Sequence, residues 1–154
     1  MFRLAFLRAA VVFAFVCLVA GFATNRAQAD IYIAVSKSAQ RMTVMVDGRP
    51  RYNWSVSTGL HGGPPSGTFR PQRLEKMWHS RTYDWTPMPH SIFFHHGFAI
   101  HGTSQLSRLG RPASKGCVRL HPQHAAALFA LVKQRGMRST TITISDSMPR
   151  MAYR

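Results

Sequence analysis

Cysteine and acidic side chains are the two things this sequence has least of. It carries two cysteines, Cys17 and Cys117, and 5 Asp plus Glu against 20 Lys plus Arg in 154 residues. That length allows one compact domain and excludes a second full one. The shortage of acid leaves a formal charge of +15, and a balance so basic attracts polyanions whatever the fold. Hydrophobic residues at 45% and charged residues at 16% supply a core and exclude a disordered chain. Internal repeats, low-complexity segments, linkers and an accompanying carbohydrate-binding module are all missing, so targeting has to come from the domain surface or from a partner.

Long apolar runs are missing too, with one exception. Ala9 to Ala23 is uncharged and apolar over 15 residues, short of the roughly 20 that a spanning helix needs. It follows Arg3 and Arg8 and precedes Ala27-Gln28-Ala29, a small-x-small pattern. Residues 1–29 therefore read as a secretory signal peptide cleaved before Asp30, and the protein as exported, to the periplasm or cell wall. Cys17 follows Phe15-Val16, not the small residues of a lipoprotein processing site, so no lipid anchor is expected. Arg3, Arg8 and Arg26 leave with the signal, and +15 becomes +12. Cys17 leaves as well, so Cys117 is alone and no internal disulfide can form. It is then a reactive thiol, half of an intermolecular bridge or a buried inert residue.

From Asp30 onward the pattern has period two. Ile31, Ile33 and Val35 alternate with Tyr32, Ala34 and Ser36, and Met42, Val44 and Val46 alternate with Arg41, Thr43 and Met45. The short Ser38-Ala39-Gln40 connection and the Asp47-Gly48 turn before Arg51 to Ser57 predict an antiparallel meander. Gly59 to Gly67 is a Gly/Pro loop. Arg70 to Pro89 mixes charge, aromatics and three prolines without periodicity and is read as loop. Ser91 to Phe94 and Phe98 to His101 flank His95-His96-Gly97 as a second hairpin. Pro122 as a first helical residue, Ala125, Leu128, Phe129 and Val132 at helical spacing, Lys133 and Arg135 near the end and Gly136 as the stop predict a helix over 121–135. Thr140 to Ile144, β-branched and alternating, predicts a last strand, and residues 147–154 form a basic tail.

The informative stretch is Ile100-His101-Gly102-Thr103, followed by Ser114-Lys115-Gly116-Cys117-Val118-Arg119-Leu120. A thiolate is the nucleophilic form of cysteine, and an imidazole can take its proton or pair with it as a cation. Gly116 frees the backbone, so that the N–H groups of Gly116 and Cys117 can converge on an oxyanion. Ser114 and Arg119 can fix the loop or the substrate. Against this stand the ordinary roles of a lone cysteine as a small core residue, of a histidine as structural and of an arginine as a surface ion.

Together these two segments resemble the signature of the L,D-transpeptidase catalytic domain (YkuD-like) family: a histidine, a loop of about this length, then Ser-x-Gly-Cys, an aliphatic residue and arginine. Val56-Ser57-Thr58-Gly59 with Pro65-Ser66-Gly67-Thr68-Phe69, and Met88-Pro89-His90, resemble its other recurring elements, so the likeness covers residues 30–146. It implies a mainly β catalytic domain of sandwich-like mixed sheets, with one main helix after the cysteine, that acts on the peptide stems of peptidoglycan without a cofactor. Cys117 would be the nucleophile, His101 the general base and Gly116 part of the oxyanion hole. Ser114 would organise the loop, and Arg119 would orient it or meet a substrate carboxylate. Gly102, Thr103 and Lys115 would lie along the substrate. A backbone carbonyl, not a carboxylate, often orients the histidine in this family. Lys115 stands where many members have histidine, and can lower the thiol pKa. The cysteine would cleave the L-D bond of a tetrapeptide stem, release D-alanine and pass the acyl group to an amine: another stem, a lipoprotein lysine or a D-amino acid. Water in that place makes the protein an L,D-carboxypeptidase or other hydrolase. Carbapenems would acylate Cys117.

Trp78, Tyr83 and Trp85 are placed in the substrate cleft, with an ordinary packed surface loop as the alternative. His90, His95, His96 and His101 cluster along the chain, but none of the spacings is a zinc pattern and His95 and His96 would face opposite ways on a strand, so no metal is expected. Nucleic acid is not an expected partner of an exported domain, although the aromatics could stack on bases. A basic binding module without catalysis remains the other class. Neither the oligomeric state nor the acceptor follows from the sequence. If the charge tethers the domain to an anionic wall, its retention on isolated walls should fall as salt rises from low to physiological strength in a sedimentation assay. Retention unaffected by salt counts against the tether.

Overall fold

A computed structural model describes residues 31–147. The segment expected as a signal peptide, residues 1–29, and nearly all of the expected basic tail lie outside the described residues. Two mixed sheets face each other across one core.

The first sheet begins with the expected meander. Strands β1 (Ile31–Ser36), β2 (Arg41–Val46) and β3 (Arg49–Ser55) pair antiparallel in succession, with a bulge at Val44/Met45. The last strand, β9 (Thr140–Ser145), lies parallel to β1, and the short β4 (Gly67–Phe69) pairs antiparallel on its far side, for the order β3-β2-β1-β9-β4. The second sheet has the order β5-β6-β7-β8, from β5 (Arg73–His79), β6 (Pro87–His95), β7 (Phe98–Gly102) and β8 (Val118–Leu120). Its first three strands are antiparallel, whereas β7 and β8 are parallel.

Helix α1 (Pro122–Arg135) follows β8 with Pro122 in its first turn, Lys133 and Arg135 in its last, and Gly136 at the stop with φ of +100°. The His121 ring accepts a hydrogen bond from the Gln123 N–H at 3.3 Å and so caps the start. Alternation along β1, β2 and β9 turns Ile31, Ile33, Val35, Met42, Val44, Ile142 and Ile144 inward. They meet Ile92, Phe94, Ile100, Val118 and Leu120 of the other sheet and Ala125, Leu128 and Val132 of α1. This is the packing of a β-sandwich with a helix set against β6 and β7 of the second sheet.

Arg70 to Pro89, expected as loop, contains β5 and the start of β6. An edge strand is paired on one side only, and most of β5 is exposed or half-buried, so it carries no apolar alternation to read. Pro87 and Pro89 sit on β6 beyond the part that β7 covers, which is Ile92 to His95. No ladder hydrogen bond is lost there.

One buried side chain ties the meander to the rest. Gln40, in the β1–β2 turn with φ of +50°, donates from Nε2 to the Lys37 carbonyl and to Thr58 Oγ1, each at 2.6 Å. Its Oε1 accepts from the Thr58 N–H at 2.9 Å. Gln40→Leu keeps the bulk and strands the Thr58 amide, and should cost about 2–3 kcal/mol in urea unfolding, the range for a buried polar group left without partners. An unchanged unfolding midpoint would show that Gln40 is not a tie.

Candidate active site

A parallel strand pair cannot be closed by a tight turn, so β7 reaches β8 through a long loop, residues 103–117. Ser114 to Cys117 close this loop, and His101 ends β7. The register sets Ile100 opposite Val118 and His101 opposite Arg119. One step further back, the Cys117 thiol comes to the backbone of Ala99. His101 and Cys117 are therefore diagonal neighbours on one face of the sheet, and both line a cavity of about 550 Å³ with Ser114, Lys115, Gly116 and Arg119.

The loop is fastened to the Val56–Gly59 segment by backbone hydrogen bonds. Ser57 and Arg119 exchange a pair at 3.0 and 2.8 Å, Ala113 and Ser114 both donate to the Thr58 carbonyl at 2.9 Å, and Leu60 donates to Ser114 at 3.0 Å. Gly116 has φ of +144°, and a Cβ there would lie 2.6 Å from the Phe98 ring. A Cβ on Gly59 or Gly63 would lie 3.0 Å from the Gly116 Cα. The glycines thus let three backbone segments touch beneath the cysteine.

Ser114 holds the turn from inside. Its Oγ donates to the Cys117 carbonyl at 2.6 Å and accepts from the Gly116 N–H at 3.0 Å. The second bond corrects the expectation that the Gly116 N–H points to an oxyanion, because that donor is already taken. Arg119 donates to Gln105 Oε1 at 3.0 Å and to the Ala113 carbonyl at 3.4 Å, bracing the loop while lining the cavity.

His101 is 4% exposed. Its Nδ1 is 2.8 Å from the Gly102 carbonyl oxygen. A carbonyl only accepts, so the neutral ring carries its proton on Nδ1 and leaves a lone pair on Nε2. No carboxylate takes part in that bond. The His101 pKa is lowered to about 4, by burial above all; the Gly102 bond works against this and the Arg119 charge adds to it. Burial pushes the Cys117 thiol up from its ordinary value, and the Ala99 backbone and Arg119 offset part of this. Burial thus works against the charged form of both groups.

Several expected site residues stand elsewhere. Gly102 is packed under α1, where a Cβ would lie 3.1 Å from Pro89 and 3.3 Å from Pro122. Thr103 Oγ1 accepts from the Gln105 N–H at 3.2 Å. Neither lines the cavity; adjacency to His101 along the chain does not bring them to it, and Gly102 acts through its carbonyl. Lys115 lines the cavity, but its Nζ sits 4.4 Å over the Tyr83 ring, and Arg119 is the charge that bears on the thiol. Trp78 and Tyr83 line the cavity, while Trp85 is 66% exposed and does not. His95 and His96 do not face opposite ways: the chain turns at His96, φ +37°, and the rings meet at 4.2 Å. Among the described residues no three His, Cys, Asp or Glu side chains are placed to hold a metal. Sequence reasoning missed Arg73 and Met88 as lining residues, and the segment that carries them has no periodicity to flag either.

A family model, YkuD: L,D-transpeptidase catalytic domain, matches residues 30–144. Solved structures share the fold. An L,D-transpeptidase from Mycobacterium smegmatis is 23% identical at a TM-score of 0.67, covering 76% of this chain and 59% of that one. An L,D-transpeptidase from Xylanimonas cellulosilytica is 25% identical at 0.62, covering 79% and 63%. L,D-transpeptidase 3 from Mycobacterium tuberculosis, in complex with a faropenem-derived adduct, is 17% identical at 0.65, covering 76% and 60%. The chain thus spans about three fifths of the length of these structures. No curated protein matches.

The His101 environment sets a pH dependence. Its pKa falls from 6.5 to about 4 on folding, so below pH 6.5 the unfolded chain takes up a proton that the folded one refuses. Stability is complete above pH 6.5 and is lost as pH falls toward 4, by about 3 kcal/mol at 1.36 kcal/mol per unit. Urea unfolding across this window should show the loss in the wild type and a clearly smaller one in His101→Gln. Equal slopes would contradict the buried neutral imidazole.

Proposed function

The chain belongs to the YkuD family of L,D-transpeptidase catalytic domains, and on that premise we propose that it is a cysteine acyltransferase acting on peptidoglycan tetrapeptide stems. The observation that carries this reading is the His101 Nδ1 contact with the Gly102 carbonyl, which leaves Nε2 as a base on the face that Cys117 shares.

The reaction runs in two steps. His101 Nε2 takes the thiol proton as the Cys117 sulfur attacks the carbonyl carbon of the third stem residue. The tetrahedral adduct collapses, the imidazolium returns the proton to the departing amine of D-alanine, and a thioester remains. An acceptor amine then attacks the thioester, His101 again carries the proton, and the thiol is restored. Burial disfavours the charged form of both groups, and in this reading proton transfer accompanies attack. The Cys117 N–H is the oxyanion donor in this reading, since Ser114 holds that of Gly116. Arg119 and Ser114 are positioning residues that keep the sulfur facing Nε2. A second stem, a lipoprotein lysine or a D-amino acid serves as acceptor, and water in its place makes the enzyme a carboxypeptidase. The protein works outside the cytoplasm, after export by its amino-terminal signal. The faropenem-derived adduct on an enzyme of the same fold supports acylation of Cys117 by strained β-lactams, penems and carbapenems alike.

Reduced protein should release D-alanine from disaccharide-tetrapeptides and form a dimer, read by product mass, and Cys117→Ala should do neither. Release without a dimer selects hydrolysis. Release by neither protein would leave the basic binding module. Imipenem should add to the wild type by intact mass, and an adduct on Cys117→Ala would contradict the assigned nucleophile.

A further inference from the structure

Four cations line the cavity: Arg73, Arg81, Lys115 and Arg119. Two are committed to protein partners, Lys115 to the Tyr83 ring and Arg119 to Gln105 and the Ala113 carbonyl. Arg81 is fully on the outside, in the turn between β5 and β6.

Arg73 is held differently. Its guanidinium carbon lies 4.4 Å from the Trp78 ring centroid and 4.1 Å from that of Phe93, and these two rings meet edge to face at 5.7 Å. Arg73 and Trp78 are five residues apart on β5, and β6 opposite them carries His90 at φ of +55°. Nη1 makes an ion pair with Glu75 at 3.0 Å, while Nη2 and Nε have no protein partner among the described residues. Two aromatic contacts fix the guanidinium, and what they leave is the in-plane edge, which is the geometry that matches a carboxylate through paired N–H donors. Trp78 and Cys117 both pack on the Met88, Phe93 and Ala99 cluster. Arg73 and the thiol therefore line one cavity, with that cluster between them.

We propose that Arg73 is a carboxylate subsite of this cavity and selects stems whose third residue carries a free side-chain carboxylate over those in which it is a carboxamide. This rests on the peptidoglycan reading above. A carboxamide presents one acceptor and a donor to a fork made only of donors, so it loses one bond and meets a clash of like hydrogens. Glu75, on the same face two residues on, neutralises part of the charge and leaves shape and hydrogen bonding to discriminate.

The test compares wild type, Arg73→Lys and Arg73→Gln on disaccharide-tetrapeptides that differ only as acid or amide at that side chain. The wild type should favour the acid by about tenfold in kcat/KM, the equivalent of one charge-assisted pair in a partly exposed cleft. Arg73→Gln should erase the preference, the acid losing it through KM. Arg73→Lys, which keeps the charge without the fork, should keep less than half of it. A wild type indifferent to the substitution, or a preference that survives in Arg73→Gln, overturns the subsite while leaving D-alanine release intact. A second measurement needs no turnover. Alkylation of Cys117 by anionic iodoacetate relative to neutral iodoacetamide should fall in Arg73→Gln, and an unchanged ratio overturns the subsite. If D-alanine is released from neither stem, the peptidoglycan reading fails, and the selection of stems with it. The alkylation ratio then reports on the anion subsite separately.

Discussion

The site depends on one parallel strand pair. Where β7 and β8 run side by side, their hydrogen-bond ladder fixes His101 opposite Arg119 and brings the Cys117 thiol to Ala99. Backbone register thus brings the imidazole and the sulfur to the same stretch of sheet. The same parallel arrangement makes a long connection obligatory, and that connection forms one wall of the cavity. A loop of this length would be mobile if it were free. Here Val56 to Gly59 fastens it strand-like along its length, and Gln40 fastens that segment in turn. Order at the thiol is thus passed inward to a turn of the opposite sheet.

Charge at the site follows from burial more than from neighbours. Desolvation is the leading influence on both His101 and Cys117, and it works against the charged form of each. Arg119 adds the same cationic field to both groups, disfavouring imidazolium and favouring thiolate. Its own burial lowers its pKa, and the carbonyl and amide oxygens around it keep it satisfied. One arginine therefore braces the loop and biases the proton between the two groups beside it.

The meander, the hairpin, the helix and the last strand were legible because each buries one face and writes it into the sequence as a period of two or of three to four. Strand β5 buries little and wrote nothing. His101, Ser114, Cys117 and Arg119 were legible through a spacing that survives as a motif. Gly102 and Thr103 were misread because neighbours in a motif need not share a cavity, and Gly102 serves through a carbonyl that any residue type has. The Gly116 amide was misread for a related reason: a glycine advertises a free backbone but not what already occupies it. Lys115 turned to Tyr83, a partner more than thirty positions earlier that local patterning cannot supply. Arg73 lay in the stretch without periodicity, and only the folded hairpin brings it between two rings.

A thiol that rests as S–H also has a bearing on damage. Peroxides and disulfides attack or exchange with the thiolate, and their rates fall with the fraction ionised. Packing against Met88, Phe93 and Ala99 lowers that fraction. The only sulfhydryl in the described residues is thereby shielded from oxidants by the same apolar surroundings that delay its activation.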